Sequence, residues 1–174
     1  KAEGKEVMAR TTLKLDKEKT AEVVQNLLVS HPKLWDLDFP YRYTVETIIK
    51  KGGKTIDKYL TPFGIRSVKF DKDKGFFLNN KHLKLKGMCL HQDAGCLGTA
   101  VPDRAYERRL LILKEFGTNA IRCSHNPPSP EFLNYCDSIG FLVIDEAFDK
   151  WKSGYYEEFF DSSWQQDISD MVIR

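Results

Sequence analysis

The chain has 174 residues, 41% of them hydrophobic and 30% charged, a balance that supplies enough apolar mass for a core and excludes global disorder. Lys and Arg number 27 against 25 Asp and Glu, and the formal charge of +2 gives no electrostatic reason to expect nucleic acid or an anionic membrane as a partner. No run of about 18 apolar residues is present, so no transmembrane helix is expected.

Residues 1–70 read as β. Residues 6–15 and 20–29 both alternate and carry β-branched side chains, so each is expected to form a strand. The cleanest pattern places Tyr41, Tyr43, Val45 and Thr47 on one face of a strand. Gly52-Gly53 then supplies a hairpin turn, with the return strand beginning at Thr55. Short antiparallel strands with such punctuation indicate part of a β-sandwich, with fewer strands than the usual seven or so. Residues 69–74, charged and without apolar pattern, mark a boundary between residues 1–70 and residues 71–174.

Beyond Phe76 the rhythm changes. A tight hairpin is expected at Asn79-Asn80, followed by a strand ending near Met88. Asp103 is placed as the cap of a helix carrying Leu110, Leu111, Leu113 and Phe116, which Gly117 stops. A short strand follows from Thr118 to Cys123. Ser129 caps a second helix, with Pro130 in its first turn and Gly140 at its end. Phe141-Leu-Val-Ile-Asp is an apolar run of the kind buried in parallel sheets. The order β-α-β-α-β with short connections predicts a parallel sheet. Residues 162–174 space Trp164, Ile168, Met171 and Val172 at helical intervals.

In parallel α/β folds, chemistry collects past the C-terminal ends of the strands. The three ends here carry His91 and Asp93, then Arg122 and His125, then Asp145, Glu146, Asp149 and Trp151. Imidazoles donate hydrogen bonds to sugar hydroxyls, and an indole offers a flat apolar face to a pyranose ring. The plainer alternatives are that His91 and His125 bond loop carbonyls and that Trp151 packs in a core. His31 and His82 are expected at the surface. The four cysteines, Cys89, Cys96, Cys123 and Cys136, read mostly as free thiols. A rival reading sets Cys89-x-His91 and Cys123-x-His125 around Zn²⁺, although the usual spacings of zinc motifs are missing. Another pairs Cys89 with Cys123 as a redox couple.

At these residues the chain resembles glycoside hydrolase family 2, which includes β-galactosidases, β-glucuronidases and β-mannosidases. The resemblance is carried by Asn119-Ala-Ile-Arg-Cys-Ser-His-Asn-Pro-Pro-Ser-Pro, Cys136-Asp and Phe141-Leu-Val-Ile-Asp-Glu-Ala-Phe-Asp. Phe63-Gly-Ile-Arg, residues 76–88, Pro32-Lys-Leu-Trp-Asp and Pro40-Tyr-Arg-Tyr extend it over nearly the whole chain. The wording is most similar to β-galactosidases of the Bacteroides type. The resemblance implies a partial immunoglobulin-like β-sandwich followed by the first βα units of a TIM (β/α)8 barrel. It also implies a retaining mechanism with two glutamates, both expected beyond Arg174: one in an Asn-Glu pair after the fourth barrel strand, the other further on.

The resemblance implies a substrate-binding set of His91, Arg122, His125, Glu146, Asp149 and Trp151, to which the strand-end reading adds Asp93. Glu146 matches the family's third-strand Asp-Glu and takes a supporting role there. No cofactor is implied. Lys150 and Lys152 occupy the positions where some β-galactosidases place Mg²⁺ ligands, so no such site is expected. A complete barrel takes roughly 250 residues, and only about a hundred follow Phe76. The chain therefore reads as an inactive fragment of an exo-acting β-galactosidase, with open apolar faces that favour self-association. The alternative is a non-catalytic carbohydrate-binding or interaction module. The N-terminal residues carry neither an apolar h-region nor a cleavage site, and leave the compartment open.

Overall fold

A computed structural model describes residues 6–146 except positions 15, 17 and 18. The reading of residues 6–15 and 20–29 as strands is not met, for neither segment forms a ladder among the described residues. Alternation gives a strand two faces, but its N–H and C=O groups still require a neighbour. Without one, Met8, Val24 and Leu28 stand open to solvent.

Strands begin with β1 (Tyr43–Lys51) and β2 (Lys54–Phe63), antiparallel from Tyr43 opposite Phe63 to Lys51 opposite Lys54. Gly52 and Gly53, with φ of 57° and 81°, make the turn between them, whose twist matches that of the strands. Residues 69–74 lie within the next hairpin, formed by β3 (Val68–Asp71) and β4 (Gly75–Leu78). There the Asp71 carboxylate accepts from the Asp73 and Lys74 N–H groups, so the charged run is the turn. The short β5 (Lys81–His82) follows the expected Asn79-Asn80 turn, in which both residues have positive φ.

A parallel sheet follows. Its strands β6 (Gly87–His91), β7 (Ala120–Ser124) and β8 (Leu142–Ile144) lie side by side in chain order, connected through α1 (Asp103–Glu115) and α2 (Pro130–Ile139). This is the expected order, with two local corrections. The strand placed to end near Met88 starts at Gly87, because Asn119 takes the polar groups just before it. Its Oδ1 accepts from Lys86 N–H and its Nδ2 donates to the Lys84 carbonyl. His91 is therefore the last residue of β6 rather than part of a following loop. Asp103 does not cap α1. Extended Pro102 holds the cap position, and Asp103 adds its charge to the first turn, where it complements the helix dipole. The second helix keeps its expected punctuation: Ser129 Oγ accepts from Phe132 N–H at 3.2 Å, Pro130 leads, and Gly140 closes in the left-handed region.

Both faces of the sheet are used. Toward the helices, Ile121 and Cys123 pack with Leu110, Phe132, Cys136 and Phe141. On the other face, at the N-terminal ends of the strands, Ala120 and Leu142 pack with Trp35 and Leu78. Trp35 carries the N-terminal segment onto the sheet: its indole N–H donates to the Asp137 carbonyl at 2.8 Å and thereby satisfies a group left open at the end of α2. What remains of that face, toward the C-terminal strand ends, is the candidate site.

Candidate active site

Ladder register decides which side chains share this face. Cys89 lies opposite Arg122, His91 opposite Ser124, and Arg122 opposite Ile144, whereas Leu90 lies opposite Cys123. Adjacent partners in a ladder project to the same side, and successive residues alternate. The first three pairs therefore point away from the helices, and Leu90 and Cys123 point toward them. His125 follows β7 directly, and Glu146 lies two residues beyond β8.

Four of the expected residues meet there. The rings of His91 and His125 stand edge to face with centroids 5.5 Å apart. Glu146 joins the third strand to the second: Oε1 accepts from Arg122 Nε, and Oε2 lies 3.0 Å from His125 Nδ1. Arg122 also brings Nη2 within 3.3 Å of His125 Nδ1 and Nη1 within 3.5 Å of Cys89 Sγ. The electrostatics follow from these contacts. The Arg122 hydrogen bond, opposed by burial and aided by His125, holds the Glu146 carboxyl below its ordinary value. In return Glu146, followed by Cys89, raises that of Arg122. The carboxylate is thus ionised and engaged.

Asp93 stands apart. Its backbone carbonyl accepts from the Arg109 guanidinium of α1 at 3.2 and 3.3 Å, and among the described residues no hydrogen bond links its carboxylate to the cluster. Asp149 and Trp151 lie outside the described residues, as do Lys150, Lys152 and residues 162–174.

The thiol readings are corrected by the same register. Cys89 is exposed on the site face and Cys123 is buried on the helix face, so the two cannot form one redox pair or one zinc site across the sheet. His125 joins the site-face network through Arg122 and Glu146 rather than following Cys123. All four cysteines are free, and no group of three His, Cys, Asp or Glu suited to a metal occurs among the described residues. Sequence reasoning missed Cys89 as a neighbour of Arg122, although its place two residues before His91 carried the signal. It also missed Ser124, whose buried hydroxyl has no hydrogen-bond partner among the described residues. That residue borders a groove of about 300 Å³, which His91, Tyr106, Asn126 and Phe132 also line.

The two faces predict a labelling pattern. In the native chain a thiol reagent should modify the exposed Cys89 and Cys96 and spare Cys123 and Cys136, all four becoming reactive in denaturant. Burial is the main cause that pushes Cys123 up to about 12, and it raises Cys136 as well. A thiol with a raised pKa stabilises the fold fully below its unfolded value and loses that contribution as pH rises. Stability should therefore fall between about pH 9 and 12, by at most about 1.4 kcal/mol per pH unit for each thiol. Rapid native labelling of Cys123 would contradict the assignment of faces.

Comparison with known proteins gives this geometry a setting. The profile described as Glycosyl hydrolases family 2, TIM barrel domain, matches residues 68–167, and that of Glycosyl hydrolases family 2 matches residues 1–66. The chain is 48% identical to the β-galactosidase BoGH2A of Bacteroides ovatus over 99% of its own length and 21% of the relative's. It is 33% identical to a β-glucuronidase of Bacteroides fragilis, over 91% of this chain and 23% of that one. Among solved structures, a family 2 member from Bacteroides cellulosilyticus matches with a TM-score of 0.74 and 48% identity, over 81% of this chain and 19% of that one. A β-glycosidase from Bacteroides vulgatus gives 0.76 and 42%, with the same coverages. The chain thus spans about a fifth of the length of the relatives it matches. With its β-hairpin segment and its parallel strands each falling under a profile of the same family, the chain belongs to glycoside hydrolase family 2.

Proposed function

We propose that the protein carrying this chain hydrolyses terminal β-D-galactosides with retention of configuration, and that the described strand ends supply the sugar-binding part of its active site. The observation that carries this reading is the His91–His125 pair, brought together by neighbouring parallel strands and tied to the Arg122–Glu146 bond. Two imidazoles at such a distance can engage neighbouring hydroxyls of one pyranose. The high identity to a β-galactosidase favours the galactoside among the family's substrates.

Glu146 does not serve as the proton donor in this proposal. A general acid at neutral pH needs a raised pKa, and Glu146 has a lowered one, with both carboxylate oxygens engaged. Its role is to hold Arg122 and His125. The acid/base and the nucleophile then come from residues outside this set, on later strands of the barrel. Asp93, Asp149 and Trp151 complete the proposed sugar-contacting group.

The test is a substrate panel. The protein should give its highest kcat/KM on an aryl β-D-galactoside, compared with the β-glucuronide and β-mannoside, and release the β-anomer first. His125→Ala should lower kcat by roughly 10²-fold, the loss typical of removing one preorganised transition-state contact. Preference for the glucuronide, or inversion of configuration, would overturn the proposal.

A further inference from the structure

The Nδ1 atom of His125 has two neighbours whose demands conflict. Glu146 Oε2, 3.0 Å away, can only accept a hydrogen bond when ionised, whereas Arg122 Nη2, 3.3 Å away, can only donate one. A single ring nitrogen cannot serve both. If Nδ1 carried a lone pair, that lone pair would face a carboxylate oxygen at the shorter of the two distances. If it carries a proton, it makes a charge-assisted bond, roughly twice as strong as a neutral one. The Arg122 guanidinium is already committed through Nε to the other oxygen of the same carboxylate. The shorter contact, the charge and the prior commitment of Arg122 agree.

We infer that Glu146 is a positioning residue that fixes His125 as the Nδ1–H tautomer, making Nε2 the hydrogen-bond acceptor of the neutral ring. This deepens the glycosidase reading and rests on it for its consequence: a sugar hydroxyl meeting His125 would donate to Nε2 rather than accept from it. Groups that meet the ring include His91 from β6, Arg122 from β7 and Glu146 from beyond β8, with Cys89 touching Arg122. Of these, the Glu146 carboxylate alone combines a negative charge with a position within hydrogen-bond distance of Nδ1. Removing its charge should therefore reverse the tautomer. In Glu146→Gln the single amide oxygen is drawn to Arg122 Nε, which turns the amide NH2 toward Nδ1. Both neighbours of Nδ1 are then donors, and the proton should move to Nε2. In Glu146→Ala the carboxylate is gone while the Arg122 donor stays beside Nδ1, with the same result.

The experiment is ¹⁵N NMR of the imidazoles in the full chain, without sugar, at a pH well above the ordinary histidine value of about 6.5. His125 is assigned with a His125→Gln control, and the amide spectrum of each variant reports whether it folds. The expected result is Nδ1–H in the wild type and Nε2–H as the majority form in Glu146→Gln and Glu146→Ala. A residue that merely supported the loop would leave the tautomer unchanged. Nε2–H in the wild type, or Nδ1–H persisting in the folded Glu146→Gln chain, would overturn the inference. No sugar enters the measurement, so its failure is distinct from failure of the galactoside assay.

Discussion

Replacing Trp35 with alanine should cost about 3–5 kcal/mol, the usual range for deleting a large buried aromatic. Trp35 is 2% exposed and belongs to a cluster drawn from β4, β7 and β8. The Arg66 guanidinium lies 4.6 Å from its ring centroid, and its own carbonyl accepts from Asn79 Nδ2. Alanine removes the indole N–H as well as the packing, leaving the Asp137 carbonyl without its donor at the end of α2. That carbonyl is only part-buried, so water can replace the lost donor and the packing loss sets the size of the effect. Against a typical total of about 5–15 kcal/mol, the loss is a large fraction of the stability. Trp35→Phe should fall between, because it keeps aromatic packing and loses the hydrogen bond. Urea unfolding of the three proteins checks the order; equal midpoints for Trp35→Phe and Trp35→Ala would mean that packing contributes little.

Gly140→Ala is the second large effect, and its cause is separable. Gly140 has φ 88°, a region that costs an L-residue about 1–2 kcal/mol. In addition, a Cβ there would lie 2.2 Å from the Leu37 carbonyl oxygen, a backbone atom with no rotamer to yield. That oxygen accepts from Lys114 Nζ at 2.7 Å, as does the Gly140 carbonyl at the same distance, so displacing Leu37 also disturbs the bridge between α1, α2 and the N-terminal segment. Adding an overpacking cost of about 1–3 kcal/mol gives an expected loss of roughly 2–5 kcal/mol. Gly117→Ala is the control. Its φ is 79° and a Cβ there meets nothing within 4 Å, so only the conformational cost of about 1–2 kcal/mol should appear. Equal losses in the two variants would show that the approach of Leu37 is not what makes Gly140 necessary.

These two positions show where sequence reading succeeds and where it stops. The end of α2 is legible because its signals are local: Ser129, Pro130 and Gly140 each act on the adjacent turn. The close approach of Leu37 to Gly140, more than a hundred residues apart, leaves no local mark. The same division explains the strands. The hairpins around Gly52-Gly53 and Asn79-Asn80 carry their own turn chemistry, whereas residues 6–15 and 20–29 have alternation without a partner ladder. Asp103 has capping chemistry, but Pro102 takes the cap one residue earlier.

Within the site, the meeting of His91 and His125 was legible from the convergence of parallel strand ends. The bond from Arg122 to Glu146 required the register and the exit angle of the third strand. Cys123-x-His125 misled because the chain leaves β7 between the two residues, so strand alternation no longer relates their side chains. Asp93 was read from its place past the first strand end; the contact of its carbonyl with Arg109 of α1 joins residues 16 apart and left no local mark in the sequence.

The central claim is that the face bearing Cys89, His91, Arg122, His125 and Glu146 receives a galactose ring. The most direct measurement is a crystal structure of the protein carrying this chain with a galactose-configured iminosugar. The ring should lie within hydrogen-bond distance of both His91 and His125, with the Arg122–Glu146 bond intact. An iminosugar bound elsewhere, with neither imidazole touching it, would contradict the account.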